Sequence, residues 1–286
     1  MLLAQTHPAH EIILVDQTQV HSTVAHRMLA QWAADGRIIW LHQREPNASK
    51  ARNAAALAAT GDVLVFLDDD IRIGPDFLAT YTEVLRRTRA AGASGPVLEG
   101  QKKMVERLNP KAFTSELGWL LHFRKNYARE CETSFMMSGN FAIRREVFLV
   151  LGGMDENYEQ GAYREESDFA VRFRRAGYQL RYDPRCAIYH LGPALVPGGG
   201  AREGVDGKDF RYFHHCVGDW YFNLKCCTAR TAFSLLVASL RHFVFNRQTL
   251  DRPWRFPLAL AYWLLALPPA IVKRSRGPIL LNNQRD

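Results

Sequence analysis

The chain has 286 residues, of which 47% are hydrophobic and 23% are charged, and its formal net charge at pH 7 is +8. This composition excludes a disordered chain and allows one catalytic domain with an appendage. The positive charge favours an anionic partner, such as nucleic acid, acidic lipid or a nucleotide diphosphate, without choosing among them.

The cysteines and the first residues bear on the compartment. The five cysteines are odd in number and show no C-x-x-C spacing, which argues against a disulfide framework or a structural zinc site and fits a reducing compartment. The first residues contain no basic segment followed by a long apolar run, so no secretory signal is visible. Residues 1–5 are typical of the last turn of a helix, and we expect the chain to begin inside that element.

Short β-rich runs alternate with helical stretches in the first half, as in βαβ units around a parallel sheet. The first helix carries apolar residues at helical spacing and closes at Gly36. The predicted strands are residues 11–15, 37–42 and 63–67, and the predicted helices are residues 20–34, 49–59 and about 74–91.

The second half has a mixed order of elements and then a glycine-rich loop. Residues 198–208 are small and basic, which suits a lid over a bound ligand or a plain linker. The predicted strands here are residues 93–98, 134–143, 179–182 and 187–190, and the predicted helices are residues 144–151 and 165–177.

The tail from Tyr212 onward is more apolar. Residues 231–245 predict an apolar helix, and residues 256–272 contain no charge, which lies at the lower length limit for crossing a bilayer. Pro268 and Pro269 weaken a straight span, and basic residues flank it on both sides. We therefore expect an interfacial or re-entrant hairpin held by anionic headgroups.

Three consecutive aspartates, Asp68, Asp69 and Asp70, follow the apolar strand at residues 63–67. Ligands bind at this end of strands in open α/β sheets, and a cation bridging the carboxylates to a diphosphate would relieve their mutual repulsion. Alternation along an extended chain places Asp68 and Asp70 on one side. The alternative is a polar strand end whose aspartates cap the next helix.

A second acidic group, Glu165, Glu166 and Asp168, opens the helix at residues 165–177. Carboxylates in the first turn commonly complement the helix dipole. If this helix start faces the sheet edge, one carboxylate can accept a proton from an acceptor hydroxyl as a general base.

Five ordered motifs resemble glycosyltransferase family 2 over about residues 1–192. They are EIILVDQT, SKARNAAALAATGDVLVFLDDD, MSGNFAIRREVFLVLGGMDENY, EESDFAVRFRRAGYQLRYDP and AIYHLG. The resemblance implies a GT-A fold, an α/β mixed sheet flanked by helices with a nucleotide-binding half and an acceptor-binding half. It also implies an inverting transfer of a sugar from a nucleotide-diphosphate sugar, a UDP-, dTDP- or GDP-sugar, to a hydroxyl of a glycan or lipid-linked acceptor.

The resemblance also implies roles for single residues. Asp68 and Asp70 correspond to the D-x-D site for Mg²⁺ or Mn²⁺, and His190 matches a position that completes the metal shell in some relatives, although a structural role for it stays open. Nucleotide-sugar contacts are expected from the following residues: Asp16, Arg52, Asn53, Asp68, Asp69, Gly139 and Asn140.

This sequence departs from the family pattern at the catalytic acid pair. The family usually has Glu-Asp with the aspartate as base, and here Glu166 takes the place of that aspartate. Its longer side chain moves the carboxylate by more than about 1 Å, which matters for catalysis. We predict Glu166 as the base, with Glu165 and Asp168 as the other candidates.

The N-terminal residues also depart from the family pattern. Family members begin with an apolar strand and a Pro-Thr-Tyr-Asn-like turn, whereas this chain starts at the Leu-Leu-Ala-Gln-like segment that follows them. We expect an N-terminally truncated member: a fragment, a misplaced gene start or an impaired product.

Other motifs give little information about function. The Gly207-Lys208 pair lacks the Ser or Thr and the first glycine of a P-loop. The aromatic and histidine cluster at residues 212–221 has no metal-binding spacing and favours packing. Basic residues are scattered without a nucleic-acid-binding motif, so no nucleic acid partner is expected.

These patterns predict a catalytic domain at residues 1–210 and a helical, membrane-associated region at residues 211–286, at the cytoplasmic face of a membrane. We expect a hexosyltransferase acting in cell-surface polysaccharide or glycan synthesis. Two alternatives are a nucleotidyltransferase-type enzyme, which also places acidic residues and metal at a sheet edge, and a catalytically impaired scaffold or binding protein.

Overall fold

The computed structural model describes residues 1–99, 103–114, 117–159, 162–191 and 208–283. The loop predicted as a lid, residues 198–208, lies outside these ranges apart from Lys208. The strands are β1 (Ile13–Asp16), β2 (Ile39–His42), β3 (Val63–Leu67), β4 (Ile71–Arg72), β5 (Gly92–Ser94), β6 (Val97–Glu99), β7 (Cys131–Thr133), β8 (Asn140–Arg144), β9 (Leu180–Tyr182) and β10 (Ile188–His190).

The helices occupy most of the remaining described residues. They are α1 (Thr23–Ala34), α2 (Ala48–Ala58), α3 (Phe77–Thr88), α4 (Lys111–Thr114), α5 (Gly118–His122), α6 (Arg145–Val150), α7 (Glu165–Arg175), α8 (Lys208–Cys226), α9 (Ala232–Phe243), α10 (Arg247–Asp251), α11 (Phe256–Leu265) and α12 (Leu267–Arg276).

The central sheet is mixed, in the order β3-β8-β5-β9-β7. Strand β8 is antiparallel to both β3 and β5, whereas β5 and β9 run parallel. A smaller sheet has the order β4-β10-β6, and β1 pairs with β2 in parallel. Helices cover these sheets, which confirms the predicted mixed α/β fold.

Local capping places the first two helices of the chain. The Ser22 hydroxyl accepts the amide of Ala25 at the start of α1, and the Asn47 side chain accepts the amide of Lys50 at the start of α2. Helix α1 nevertheless leaves its predicted apolar face open, because Val24 is 72% exposed. Capping therefore explains where these helices begin but not which faces they bury.

Two predicted strands are wrong in extent. The strand predicted at residues 93–98 is two strands, β5 and β6, in different sheets. The strand predicted at residues 134–143 begins later, because β8 covers only Asn140–Arg144. Pro96 lacks the amide hydrogen that a central strand donates. A Cβ atom on Gly95 would lie 2.0 Å from the Cys186 carbonyl oxygen, so the chain passes close to another backbone at the break.

The core between the sheet and its helices is aromatic. The rings of Phe66 and Phe141 stack with their centroids 4.8 Å apart, and Phe148 contacts Phe66 and Phe169 at 5.2 and 5.1 Å. Phe169 lies on α7, which opens with the second acidic group, and Phe66 lies on β3, which the three aspartates follow. This aromatic cluster therefore joins α7 to β3.

A groove of about 640 Å³ lies between β1 and β3, which do not pair with each other among the described residues. Its lining includes Ile13 of β1, Val63 and Val65 of β3, and the first three residues of the chain. Helix α2 packs against β1. This helix therefore connects β1 to α6, against which it also packs.

Helices α8, α9, α11 and α12 contribute to a second core around buried side chains such as Phe222 and Trp263. Tyr158 of the α/β part belongs to the same core, so the two regions pack together. By length and composition, the 24-residue stretch Pro253–Arg276 could cross a membrane, and it is divided here into α11 and α12.

The close approach at Gly95 gives a stability prediction. We expect Gly95→Ala to lower the free energy of unfolding by about 1–3 kcal/mol, because the new methyl group overlaps the Cys186 backbone. Gly74→Ala is the matched control, since nothing lies within 4 Å of its added Cβ. Urea unfolding of both variants measures the difference, and equal stabilities would contradict this account of the break.

Candidate active site

The pairing of β10 with β4 brings His190 beside the aspartates that follow β3. His190 pairs with Ile71 in an antiparallel register, and its Nε2 atom lies 3.2 Å from Oδ1 of Asp70. One ligand atom each from Asp68, Asp70 and His190 lie within 4.8 Å of one another. Asp69 is exposed. The structure thus brings together the three side chains that the sequence predicted as metal ligands.

These three residues fit a divalent cation. Two carboxylate oxygens and one imidazole nitrogen are ligands that Mg²⁺ or Mn²⁺ accepts, with free positions left for phosphate oxygens and water. Ligand atoms in a magnesium site lie about 2.0–2.1 Å from the ion. The three side chains are partly exposed, and their ligand atoms would have to come together around one ion to reach that distance.

Gly139 and Asn140 have different environments in the structure. A Cβ atom on Gly139 would lie 2.2 Å from Oδ2 of Asp68, so a larger residue here would require this carboxylate to move. Asn140 is fully buried, and its amide nitrogen donates to the carbonyls of Pro96 and Cys186 at 3.0 and 2.8 Å. These hydrogen bonds lie inside the protein, and contact of Asn140 with the nucleotide-sugar donor stays a prediction.

The guanidinium of Arg52, on α2, lies between the two acidic groups. It donates to Glu165 at the start of α7, and its Nη2 atom is 3.7 Å from Oδ1 of Asp68. Burial lowers the pKa of Arg52, but the two carboxylates outweigh that effect and hold the pKa above its ordinary value. Arg52 therefore holds the start of α7 near the aspartates.

The three predicted carboxylates of α7 differ in their surroundings. Glu165 is buried and accepts from Arg52 and from the Ser49 hydroxyl, the latter at 2.9 Å. Asp168 is also buried, and it accepts from Arg172 at 2.9 Å and pairs with Lys225 of α8 at 2.8 Å. Both carboxylates are thus engaged inside the protein.

Glu166 is the partly exposed carboxylate of this group. Among the described residues, no hydrogen bond from another side chain to Glu166 is found. Burial, followed by the charge of Glu165, raises the pKa of Glu166 to about 7. A carboxyl group with such a pKa can exchange a proton near neutral pH.

Asp16 lies at the end of β1, among polar groups that sequence reasoning missed. It accepts from Trp40 Nε1 and from the Thr18 amide, each at 2.9 Å, and contacts the His21 ring. Burial would raise the pKa of Asp16, but these hydrogen bonds hold it below its ordinary value. The parallel pairing of β1 with β2 was the available signal, because it places Trp40 and His42 at the same sheet edge.

Asn53 lies one residue beyond Arg52 but points into the protein. Its amide nitrogen donates to the Met154 carbonyl and to Glu156, both at 2.9 Å, and its oxygen accepts the Met154 amide at 2.7 Å. These bonds join α2 to the segment after α6. The predicted nucleotide contact of Asn53 stays a prediction.

Solved structures share the fold. The S. aureus protein TarS, residues 1–349 in complex with UDP-GlcNAc, aligns with a TM-score of 0.58 at 15% identity, over 93% of this chain and 76% of that one. The mannosyltransferase PcManGT from Pyrobaculum calidifontis, in complex with GDP-Man and Mn²⁺, aligns with a TM-score of 0.51 at 22% identity, over 96% and 72%. These neighbours are GT-A glycosyltransferases, so the predicted GT-A fold is confirmed.

A sequence relative is more similar over part of the chain. The succinoglycan biosynthesis protein ExoM of Rhizobium meliloti is 43% identical over 158 residues, which are 54% of this chain and 48% of that protein. The chain spans less than two thirds of the length of the curated relatives that it matches.

The family comparison agrees with the motifs and the fold. The family model described as Glycosyl transferase family 2 matches residues 1–152, which is more than half of the 286 residues. The predicted resemblance is therefore confirmed, and this chain belongs to glycosyl transferase family 2.

Proposed function

We propose that this protein transfers a sugar from a nucleotide-diphosphate sugar to an acceptor hydroxyl, with inversion at the anomeric carbon and with a bound divalent cation. The observation that carries the proposal is the position of Arg52, which contacts both Asp68 of the metal-ligand cluster and Glu165, the neighbour of Glu166. A metal site and a titratable carboxylate near one another suit displacement of a diphosphate leaving group.

Asp68, Asp70 and His190 would hold Mg²⁺ or Mn²⁺. When bound, this ion would neutralise charge on the diphosphate as it leaves. Asp16, with Trp40 beside it, would contact the nucleoside base, and exposed Asp69 would face the donor. Gly139 allows the chain close to Asp68 and so shapes the donor site.

Glu166 would be the general base. Its carboxylate accepts the proton of the acceptor hydroxyl while that oxygen forms a bond to the anomeric carbon. The bond from this carbon to the diphosphate oxygen breaks from the opposite face, so the configuration inverts. Glu165 and Asp168 are engaged by Arg52 and Lys225, and we propose that they position Glu166 and α7.

The named relatives support the donor class and the setting. The complexes with UDP-GlcNAc and with GDP-Man and Mn²⁺ support a nucleotide-sugar donor and a metal. The name of ExoM supports polysaccharide synthesis. The acceptor would be a glycan or a lipid-linked glycan.

The helical tail would bind the cytoplasmic face of a membrane. Phe233, Trp254 and Leu265 are large apolar side chains of this region and are 76%, 74% and 62% exposed. Basic residues such as Arg252 and Lys273 lie in the same region. Apolar side chains with basic neighbours suit an anionic lipid surface.

The assignment of metal ligand and base is tested by two variants. We expect Asp70→Ala to weaken Mn²⁺-dependent UDP binding by at least about tenfold, because the ion loses a carboxylate. Glu166→Gln should keep that binding and lower turnover at least about 100-fold. Calorimetry with UDP and release of nucleotide diphosphate from UDP-, dTDP- and GDP-sugars measure these effects. Full activity of both variants would refute the site.

The pKa of Glu166 gives a pH prediction. A base works only when ionised, so turnover at saturating Mn²⁺ should fall about tenfold for each pH unit below the Glu166 pKa of about 7. Turnover should level off above that pH. An acid limb near the ordinary glutamate value of about 4.3 would contradict the assignment.

Membrane binding is tested by a variant that places a negative charge on the helical tail. Trp254→Glu should weaken the affinity for phosphatidylglycerol vesicles about tenfold, since one large side chain leaves the lipid. The affinity is measured from the fraction of protein that sediments with the vesicles. Val24→Glu on α1 is the matched control, because it replaces another exposed apolar residue outside the tail. Equal loss in both variants, or none in either, would contradict a membrane face on the tail.

A further inference from the structure

Arg164, the residue immediately before α7, has a left-handed backbone. Its φ is 76° and its ψ is 5°, a conformation that residues other than glycine rarely adopt. Its carbonyl oxygen accepts the Asp168 amide at 2.9 Å, so it forms the first turn of α7. This residue therefore sets the direction in which the helix starts, two positions before Glu166.

The C-terminal helix α8 holds Arg164 in place. Its Nε atom donates to Oδ1 of Asp219 at 2.9 Å, and Asp219 is 1% exposed. Asn223 donates to the other oxygen of Asp219 at 3.1 Å. A Cβ atom on Gly218 would lie 2.5 Å from the Tyr163 carbonyl oxygen, so α8 packs directly against this turn.

Two aromatic rings also contact the guanidinium. It lies 5.1 Å from the centroid of Tyr163 and 5.6 Å from that of Phe222 on α8. Such contacts favour a desolvated cation. The strained backbone, the ion pair and the two rings together indicate a built position for this charge rather than a surface contact.

Several charged and titratable groups surround Glu166. Glu165 on its own helix raises its pKa, and Arg164 and Arg52 lower it. The nearby Tyr163 ring stacks with those of His215 on α8 and His242 on α9, at 5.2 and 5.6 Å. Arg52 is paired with Glu165, and Arg164 is paired with Asp219, so each cation near Glu166 is partly compensated by another carboxylate.

We propose that Arg164 is a positioning residue: held by Asp219 of α8, it fixes the start of α7 and keeps a compensated positive charge two residues before Glu166. The helical tail then takes part in setting the base as well as in packing. The proposal rests on the proposed function of Glu166 as base. It concerns a helix that lies beyond the residues that the family model matches.

A purely structural ion pair would behave differently on mutation. Arg164→Gly removes the cation, leaves Asp219 without its ion-pair partner, and suits the left-handed backbone, because glycine adopts positive φ without strain. Asp219→Asn does the opposite, since it leaves the Arg164 cation uncompensated. The first variant should raise the pKa of Glu166 and the second should lower it, each by at least about 0.5. General loosening of the turn would move both in one direction.

The experiment is a carbon-13 NMR titration of the full chain labelled at the glutamate carboxyl carbons. The Glu166 signal is assigned by its loss in Glu166→Gln. Arg164→Lys should stay closer to the unsubstituted protein than Arg164→Gly, because it keeps the charge. Arg175→Gln is the control, since Arg175 joins the far end of α7 to Cys226 of α8 at 3.0 Å. Circular dichroism and thermal unfolding verify that each variant is folded.

Opposite shifts in Arg164→Gly and Asp219→Asn, with none in Arg175→Gln, would support the proposal. Shifts in the same direction, or an unchanged Glu166 titration in both folded variants, would overturn it. The titration does not depend on turnover, so it tests Arg164 even if Glu166→Gln keeps full activity and the proposed function fails.

Discussion

The buried guanidinium of Arg52 is the contact on which the arrangement of this site depends. It donates to Glu165 and lies 3.7 Å from Asp68, so it stands between two groups of like charge that would otherwise repel each other. Removing one partner of such a pair leaves an uncompensated buried charge, which costs about 3–5 kcal/mol. Arg52 therefore helps to set the spacing between Asp68 and the start of α7, together with the aromatic contacts that join α7 to β3.

The carboxylates at the start of α7 show how environment separates residues of the same chemistry. Glu165 is engaged by Arg52 and Ser49, and Asp168 is engaged by Arg172 and Lys225. Glu166, between them in sequence, has a pKa of about 7. Two internally bonded carboxylates thus hold the helix, and the third is the one that we propose for proton transfer, so that one short acidic segment would serve both structure and chemistry.

Much of the fold and part of the site could be predicted from the sequence. The apolar run Val63–Leu67 is β3 as predicted, and the ordered motifs led to the family. The meeting of His190 with Asp70 follows from the β4–β10 register, which no local pattern contains. The break at Gly95 and the internal bonds of Asn140 depend on the Cys186 backbone, more than 40 residues away in sequence. Long-range packing decided these features.

The most direct test of the central claim is anomalous diffraction from crystals grown with Mn²⁺ and UDP. The account predicts a manganese peak within about 2.5 Å of ligand atoms of Asp68, Asp70 and His190, with the diphosphate on the ion and the Glu166 carboxylate facing the open side of the site. A manganese peak elsewhere, or UDP bound without contact to these residues, would contradict it.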